Sequence, residues 1–407
     1  ARKGYGFLFR KGITMKKNSK FLFFGLIMMG LILRVPFTSI PPILTDIARG
    51  LHISVSSLGI LTTIPLLMFA IFSPIAPRIA QKFGIARTFA GVLTLLMIGS
   101  LLRIMNVLFL FIGTALIGIG IAMLNVLMPS AVMTYFPNKI GKLTAIYTTV
   151  MTCATALMSA LAVPITQHSS WQMMIIVLTV LLAITFVIWL PNIKREKQVQ
   201  AKSSTSEREQ AKHKSAWRTP KAWIMLVFSG LQSLLFYTGL TWLPTMATEA
   251  GLSQTLAGNL SGIYSLIGIP LALVLPAIIE AISIRKRQLL MGFFDALGII
   301  GIMMLFWQQS SFIYWLIVSL LIGCAAGALF PYLMTTFSLK ATTPEHSAEL
   351  SGMSQSGGYL IASVGPFLFG YGHTLFHSWT FVTACFLGLI IIMTIANLLL
   401  EREEKIY

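Results

Sequence analysis

The sequence predicts an all-α membrane protein with twelve transmembrane helices in two pseudo-symmetric six-helix halves. Three observations indicate this class: a composition poor in charge, twelve long apolar runs, and short motifs that recur in the same order in both halves. Of the 407 residues, 56% are hydrophobic and 10% are charged, whereas a soluble domain carries about 25% charged residues. A chain so poor in charge cannot cover a water-facing surface.

The apolar runs are long enough to cross a bilayer. A helix of about 20 residues spans the ~30 Å of hydrocarbon. Proline and glycine inside such runs are tolerated, because neighbouring helices satisfy the freed backbone groups. The predicted spans are 21–44, 56–76, 88–104, 109–133, 141–165, 171–190, 223–247, 252–279, 289–306, 312–337, 348–375 and 380–400.

One long polar stretch, residues 192–221, separates the sixth run from the seventh and is rich in Lys, Ser, Gln and Glu. It is expected to be a cytoplasmic basic linker between two bundles. The part of the chain before Met15 is interpreted as an upstream extension without functional weight. The predicted organisation is a basic N-terminal tail (1–20), a first six-helix bundle (21–191), the linker (192–221), a second six-helix bundle (222–400) and a cytoplasmic tail (401–407).

Short motifs recur six spans apart, which indicates a parallel duplication. Each match is short, but three matches in the same order favour two halves related by an axis along the membrane normal. The paired segments are GLHIS with a following LG at 50–59 and GLS with a following LAG at 251–258, LIG at 116–118 and at 321–323, and LTAI at 143–146 and LSGM at 350–353.

The basic residues predict the orientation, since loops rich in Lys and Arg stay in the cytoplasm. They are concentrated in the N-terminal tail, the linker and alternate gaps, whereas the gaps on the other side hold only Arg49 and Arg103. Both termini are therefore expected in the cytoplasm of a multi-pass protein of the bacterial inner membrane. The same distribution forms no basic stripe for nucleic acid, despite a net charge of +18.

Motifs for enzymatic or cofactor chemistry are absent from the sequence. No GxxxxGK[ST] loop, nucleophile elbow, catalytic dyad or zinc-ligand spacing occurs. The three cysteines, Cys153, Cys324 and Cys385, are scattered inside apolar runs and read as small core residues. We therefore expect no enzymatic activity, no cofactor and no nucleic-acid partner.

Arg34 lies near the middle of a predicted span, about thirteen residues or ~20 Å from its cytoplasmic end. A charge at that depth costs at least ~2.5–3.5 kcal/mol on insertion scales, so it should face the bundle interior. No acidic residue is expected at the same depth: Asp46 lies at the outer end of the span, and Asp295 near a cytoplasmic end is expected to pair with the basic cluster 285–287. An unpaired guanidinium facing a cavity suits an anionic ligand, which it can hold through two hydrogen bonds.

A structural role for Arg34 stays open at this point. Pro36, Pro41 and Pro42 follow it closely, and proline has no backbone N–H to donate. Carbonyl groups freed around these prolines could be the partners of Arg34, which would then only lock the bundle.

Other polar and aromatic residues are placed at mid-span. Such residues can line a pocket or join helices through hydrogen bonds. Asn125, Gln355 and Tyr359 rank first, because they lie in Gly-rich segments where helices approach closely. Tyr332 shares this mid-span position. The predicted substrate-binding set is Arg34, Thr38, Asn125, Tyr147, Tyr237, Trp242, Tyr264, Gln355 and Tyr359.

Four segments carry a further signal: LRVPFTSIPP at 33–42, GIGIAMLNVLMP at 118–129, WLP at 242–244 and LSGMSQSGGYL at 350–360. They resemble the cyanate/nitroimidazole permease branch of the major facilitator superfamily, and the likeness runs across residues 21–400. One loop departs from the superfamily pattern G-x-L-A-D-R-x-G-R, because Gln81 stands where Asp is usual. The gating salt bridge attributed to that Asp is therefore not expected here.

The resemblance implies the major facilitator fold and a permease for small, often anionic or planar polar molecules. We expect a secondary-active or facilitative transporter of a small anion (cyanate-like, nitrate-like or a small carboxylate) that works by alternating access around Arg34. It is expected to act as a monomer in membrane lipid, with a co-transported proton or an exchanged anion as candidate partners. The alternative is an efflux transporter for neutral or cationic drug-like compounds such as nitroimidazoles, although no intramembrane carboxylate for a cation is evident.

Overall fold

The structure, a computed structural model, describes residues 19–53, 60–203 and 215–406. Within these residues all regular secondary structure is helical, and no strand is found. Most of the predicted N-terminal tail, the start of the second predicted span and the middle of the predicted linker lie outside the described residues.

The first half contains the first six predicted spans, two of which are broken. The first span is divided into α1, α2, a 3-10 turn at Pro41–Ile43 and α3, and the second into α4 and α5. The pair α4 and α5 is bent by 56°. The helices are α1 Ser19–Ile32, α2 Val35–Thr38, α3 Leu44–Leu51, α4 Ile60–Phe72, α5 Ala76–Phe83, α6 Ile85–Leu102, α7 Val107–Tyr135, α8 Ile140–His168 and α9 Trp171–Ser203.

The second half contains the other six predicted spans. Its eighth span is divided into α11 and α12, and each remaining span is one continuous helix. The helices are α10 Pro220–Glu249, α11 Gln254–Leu266, α12 Gly268–Ala281, α13 Ile284–Met304, α14 Phe312–Leu339, α15 Pro344–Phe376 and α16 Trp379–Glu401.

The span count agrees with the sequence prediction. In the described part of the chain, ten helical segments are long and apolar enough to cross a membrane, and the bent pair α4–α5 supplies an eleventh crossing. The twelfth is α15, a 33-residue helix. Its lower hydropathy follows from a face of buried Ser and Gly that packs inside the bundle, including Ser351, Gly352 and Ser354.

The interruptions lie beside prolines. Pro36 follows the turn at Leu33 and Arg34, Pro74 lies between α4 and α5, and Pro270 lies in the first turn of α12. A proline inside a helix removes one backbone donor and clashes with the preceding turn, whereas it fits the first turn of a new helix. Prolines inside the apolar runs, which the sequence analysis treated as tolerated, thus lie where three spans are divided.

The helix α9 continues to Ser203 and so runs beyond the predicted end of its span at residue 190. It therefore occupies the first part of the segment predicted as a linker. We call the end of the bundle at which α9 ends and α10 begins the linker face, and the other end the opposite face. The linker face also carries the end of α5, the start of α8, the end of α12 and the start of α15.

The two halves are packed together at the linker face. Here α8 lies against α12, and α15 lies against α4 and α7. Serine hydroxyls donate to backbone carbonyls across the junction, from Ser130 to Pro344 (2.7 Å) and from Ser338 to Pro129 (3.0 Å). The hydrogen bonds found between the halves in the described part of the chain lie between the middle of the bundle and this face.

A carboxylate caps a helix across this junction. Glu280 at the end of α12 accepts hydrogen bonds from the backbone N–H groups of Ile140 (3.0 Å) and Gly141 (2.9 Å), the first residues of α8. The first turn of a helix has unpaired donors and a partial positive charge, which favour a carboxylate. Gly141 permits the approach, since an added Cβ would lie 2.3 Å from the carbonyl oxygen of Pro276. The linker face is therefore closed.

Candidate functional site

A cavity of about 670 Å³ lies between the halves. Its wall comes from the first, second, fourth and fifth spans of one half and from the seventh, eighth, tenth and eleventh of the other. Exposed residues such as Pro41, Thr241 and Leu266 line its side nearer the opposite face. The cavity is thus sealed on the linker side and extends towards the opposite face.

Arg34 carries the only charge among the described residues that line this cavity. It lies in the turn between α1 and α2. Its carbonyl oxygen accepts hydrogen bonds from the backbone N–H of Phe37 (3.0 Å) and of Thr38 (2.9 Å) and from the Thr38 hydroxyl (3.1 Å). These bonds fix the turn, so the half-buried side chain is presented to the cavity from a defined backbone position.

Aromatic rings surround the guanidinium. The guanidinium carbon of Arg34 lies 4.6 Å from the centroid of the Phe330 ring, a cation–π arrangement that orients the charge. The hydroxyl of Tyr359 is close enough to interact with Arg34 and with Tyr237. The Tyr359 ring packs edge-on against Phe69 at 5.0 Å. The described part of the chain offers no salt bridge to Arg34, so its charge has no counter-charge among the described residues.

Five of the nine sequence-predicted residues line the cavity: Arg34, Thr38, Tyr237, Tyr264 and Tyr359. Tyr264 is buried, and its hydroxyl donates to the carbonyl of Phe236 at 3.2 Å. The other four lie outside the lining.

Asn125 and Gln355 lie at the junction between the halves. The side-chain amide of Gln355 donates to the backbone carbonyl of Asn125 (3.3 Å) and to the hydroxyl of Ser351 (2.7 Å). Both residues are buried. The close helix approach that their Gly-rich segments indicated is present, and it joins α7 to α15.

Tyr147 and Trp242 join helices within their own halves. Tyr147 packs on α1, where a Cβ added to Gly30 would lie 2.9 Å from the Cβ of Tyr147. The indole N–H of Trp242 donates to the carbonyl of Pro366 at 2.8 Å and so links α10 to α15.

The sequence analysis missed most of the other lining residues, and Gln232 and Phe330 show the two reasons. Gln232 is buried in α10, where its amide donates to the Ser233 hydroxyl at 2.6 Å. A polar amide inside an apolar run is a signal that could have placed it in the set. Phe330 gives no such signal. In sequence, a phenylalanine whose ring contacts a guanidinium cannot be told from one that packs in an apolar core.

A second arginine, Arg103, performs the structural role that the sequence left open for Arg34. Its Nη1 donates to the carbonyl of Pro36 at 2.7 Å, and its Nε donates to the hydroxyl of Thr114 at 3.2 Å. Arg103 is 1% exposed, although the sequence analysis counted it with the gap that follows the third predicted span, at whose end it lies. The carbonyl freed near the prolines of the first span is therefore held by Arg103.

The expected pairing of Asp295 is wrong. Asp295 is fully buried and accepts a hydrogen bond from the side-chain amide of Asn397 at 2.7 Å. From the cluster 285–287, Arg287 instead forms a salt bridge with Glu401 at 3.8 Å. Asp295 lies between α13 and α16, away from the cavity lining.

Comparison with known proteins identifies the family. The model of the Major Facilitator Superfamily matches residues 22–366. The chain belongs to the major facilitator superfamily. A 2-nitroimidazole transporter of Escherichia coli (strain K12) is 33% identical over 393 residues, which covers 96% of this chain and 98% of that protein. The cyanate transport protein CynX of the same organism is 24% identical over 374 residues, covering 90% of this chain and 94% of CynX.

A solved structure supports the fold. The proton:xylose symporter XylE bound to 6-bromo-6-deoxy-D-glucose superimposes with a TM-score of 0.71 at 14% identity, over 94% of each chain. This major facilitator superfamily member is therefore a multi-pass membrane transporter without enzymatic activity, and it matches the cyanate/nitroimidazole branch that the sequence motifs indicated.

Proposed function

We propose that this transporter binds a small planar anion at Arg34 and moves it across the membrane by alternating access. The observation that carries the proposal is the chemistry of the cavity: among the described residues, its lining holds one guanidinium, which has no salt bridge and lies among aromatic and hydroxyl side chains. A guanidinium binds two oxygens or nitrogens of a planar anion through parallel N–H donors. Aromatic walls suit the flat faces of such a ligand.

The named relatives transport compounds that fit one chemical class. Cyanate is an anion, and the nitro group of 2-nitroimidazole acidifies the ring N–H, so that the ring can bind as a planar anion. Arg34 would recognise either one through its charge. The size of the cavity, about 670 Å³, favours an anion with a ring over a triatomic one.

The conformation of the structure determines from which side of the membrane a substrate first enters the cavity. If the linker face is cytoplasmic, as the basic residues predict, the cavity opens towards the outside and is closed towards the cytoplasm. Inward movement of a monovalent anion then works against about 2.3 kcal/mol per 100 mV. The described lining holds no carboxylate to carry a proton, which favours anion exchange, facilitated diffusion or uptake of a protonated substrate.

Efflux of neutral nitroimidazoles is the second candidate. It is favoured by the relative that is 33% identical and named a 2-nitroimidazole transporter. Neutral rings would rely on the aromatic wall formed by Tyr237, Tyr264, Phe330 and Tyr359, and would gain little from Arg34.

A binding panel separates the two candidates. Nitrate, cyanate, benzoate and 2-nitroimidazole are added to the purified protein at matched ionic strength, and thermal stability is measured. A ligand at 100 times its Kd stabilises the folded state by about 2.7 kcal/mol. Anion binding predicts stabilisation by the anions, and stronger binding of 2-nitroimidazole as rising pH deprotonates the ring. Stabilisation by 2-nitroimidazole that weakens over the same pH range, with no response to any anion, contradicts the proposal.

A further inference from the structure

The first span is interrupted at Arg34, the residue that faces the cavity. Several backbone carbonyl groups after this point lack their usual helical hydrogen-bond donors. In an α-helix each carbonyl accepts the N–H four residues later. Pro41 and Pro42 have no N–H, so the carbonyls of Phe37 and Thr38 lose those donors. Ile40 turns its N–H to the Phe37 carbonyl at 3.4 Å, which leaves the Pro36 carbonyl without its own helical donor.

Two side chains from other spans replace the missing donors. The Ser159 hydroxyl of α8 donates to the Thr38 carbonyl at 3.2 Å. Arg103, which follows α6, donates from Nη1 to the Pro36 carbonyl at 2.7 Å. A buried carbonyl without a donor is unfavourable, so these bonds hold the segment that directly follows Arg34.

The guanidinium of Arg103 is itself held in place. Its Nε donates to the Thr114 hydroxyl at 3.2 Å, and that hydroxyl donates onward to the Leu110 carbonyl at 2.8 Å. Glycines make the room: a Cβ added to Gly113 would lie 2.3 Å from the Gly99 carbonyl and 3.0 Å from Cγ of Arg103. The side chain therefore has a defined path between α6 and α7.

Arg103 is a charge buried without a counter-charge. It is 1% exposed, and the salt bridges found in the described residues do not include it. A neutral donor could satisfy one carbonyl at a lower desolvation penalty. A guanidinium, however, can bind two groups at once in a fixed geometry. The arrangement is suited to placing Pro36 relative to Thr114.

We infer that Arg103 is a positioning residue that fixes the interrupted first span so that Arg34 projects into the cavity. The inference rests on the proposed function, because it assigns Arg103 to the same anion site. Arg34 lies two residues before the carbonyl that Arg103 holds, and its own carbonyl accepts the bonds that fix the turn. Loss of Arg103 should therefore move Arg34 without removing it.

The variants Arg103→Met, Arg103→Lys and Thr114→Val test this, with Thr179→Val as the matched control. Thr179 donates to Ser100 at 2.7 Å and to the Ile175 carbonyl at 2.8 Å, and neither partner belongs to the first span. We expect Arg103→Met to raise the Kd of nitrate, cyanate or 2-nitroimidazole at least tenfold. Arg103→Lys should restore part of the affinity, since an ammonium can reach the Pro36 carbonyl but cannot hold Thr114 in the same fork.

The readout separates positioning from simple loss of stability. In proteoliposomes, Arg103→Met should raise KM more than it lowers kcat, whereas Thr179→Val should lower the melting temperature and leave the Kd unchanged. If Arg103→Met does not fold, Thr114→Val carries the test with a smaller rise in Kd. Unchanged Kd values for every variant at Arg103 and Thr114 that folds overturn the inference. If Arg34→Ala also binds the three probes like the wild type, the proposed function itself fails.

Discussion

At the residue scale, the properties of the cavity follow from one permanent charge. Arg34 is half-buried, and no acidic residue appears among the described lining residues. The cavity reaches towards the opposite face, and the Phe330 ring lies 4.6 Å from the guanidinium carbon of Arg34. An anion would supply the missing counter-charge, which is why a ligand of that sign should bind most tightly.

The contact between Arg34 and Phe330 predicts a modest effect on affinity. A cation–π contact contributes about 0.5–1 kcal/mol at a partly exposed site, which corresponds to a two- to five-fold change in Kd. Phe330→Leu should therefore raise the Kd of the bound anion by about that factor, as measured by isothermal titration calorimetry. Phe386→Leu is the matched control, since Phe386 packs on Phe369 away from the cavity. Equal Kd values for both variants would show that the ring does not orient Arg34.

Arg34 and Arg103 show which roles of single residues can be predicted from the sequence and which cannot. Arg34 was found because a charge in the middle of an apolar run is unusual. Arg103 was placed in a gap, since nothing in its neighbourhood reports that Gly99 and Gly113 bring α6 and α7 close enough to bury it. Burial near the end of a span is a property of packing between spans, which hydropathy does not contain.

At the element scale, the state of the transporter depends on a few contacts between helix ends. The carboxylate of Glu280 caps α8 across the halves. The equivalent junction between α5 and α15 has the neutral Gln81, whose amide donates to Glu349 at 3.1 Å in an exposed position. The Glu280 carboxylate binds two backbone donors of a helix N-terminus in a partly buried position, whereas the Gln81 amide forms one hydrogen bond with a carboxylate that is exposed to water. We therefore expect the Glu280 cap to contribute more to closure than the Gln81 bond.

The Glu280 cap predicts a shift in the conformational equilibrium. Glu280→Gln removes the charge and should stabilise the state that is open at the linker face, because a carboxylate at a helix N-terminus contributes about 0.3–2 kcal/mol. Spin labels at positions 142 and 286, with the three native cysteines replaced by serine, report the separation of the halves. We expect a larger population at long distances in double electron–electron resonance.

The control for this experiment is Glu403→Gln, which removes an exposed ion pair with Lys221 within the second half. Gln81→Ala should give a smaller shift than Glu280→Gln. A distance distribution for Glu280→Gln that matches the wild type would mean that the cap does not govern closure.

The helices themselves were predictable, because a chain in lipid must satisfy its backbone groups internally and the helix does so locally. Twelve apolar runs became twelve spans, and Pro36, Pro74 and Pro270 lie at the three interrupted ones. The end of α9 was not predictable from hydropathy, since a helix can continue into water when its sequence has adequate helix propensity. The partner of Asp295 was also missed, because it comes from Asn397, about a hundred positions away.

At the scale of the whole molecule, two similar halves enclose one asymmetric site. The motif pairs in the sequence indicated the duplication. They could not indicate which face of the bundle is closed, because the same helices form both the inward-open and the outward-open state. The closed face is instead determined by contacts such as those of Glu280 and Gln355 across the junction. Mid-span polarity could not separate residues that join the halves, such as Asn125 and Gln355, from those that line the cavity, such as Tyr237.

The charge of the cavity and the membrane potential together favour the proposed exchange of anions. The described lining of the cavity holds a single positive charge, and the membrane potential makes net anion uptake unfavourable by about 2.3 kcal/mol per 100 mV. Exchange of one anion for another avoids this work, since no net charge moves.

Counterflow in proteoliposomes containing Arg34→Ala, Arg34→Lys or wild-type protein tests the central claim most directly. Liposomes are loaded with nitrate, cyanate or 2-nitroimidazole, and uptake of the same labelled compound is followed. We expect wild-type protein to exchange at least one of them. Arg34→Ala should abolish the exchange and Arg34→Lys should reduce it more than tenfold, with unchanged melting temperatures in the absence of ligand. Exchange at the wild-type rate by both variants would contradict an anion site at Arg34.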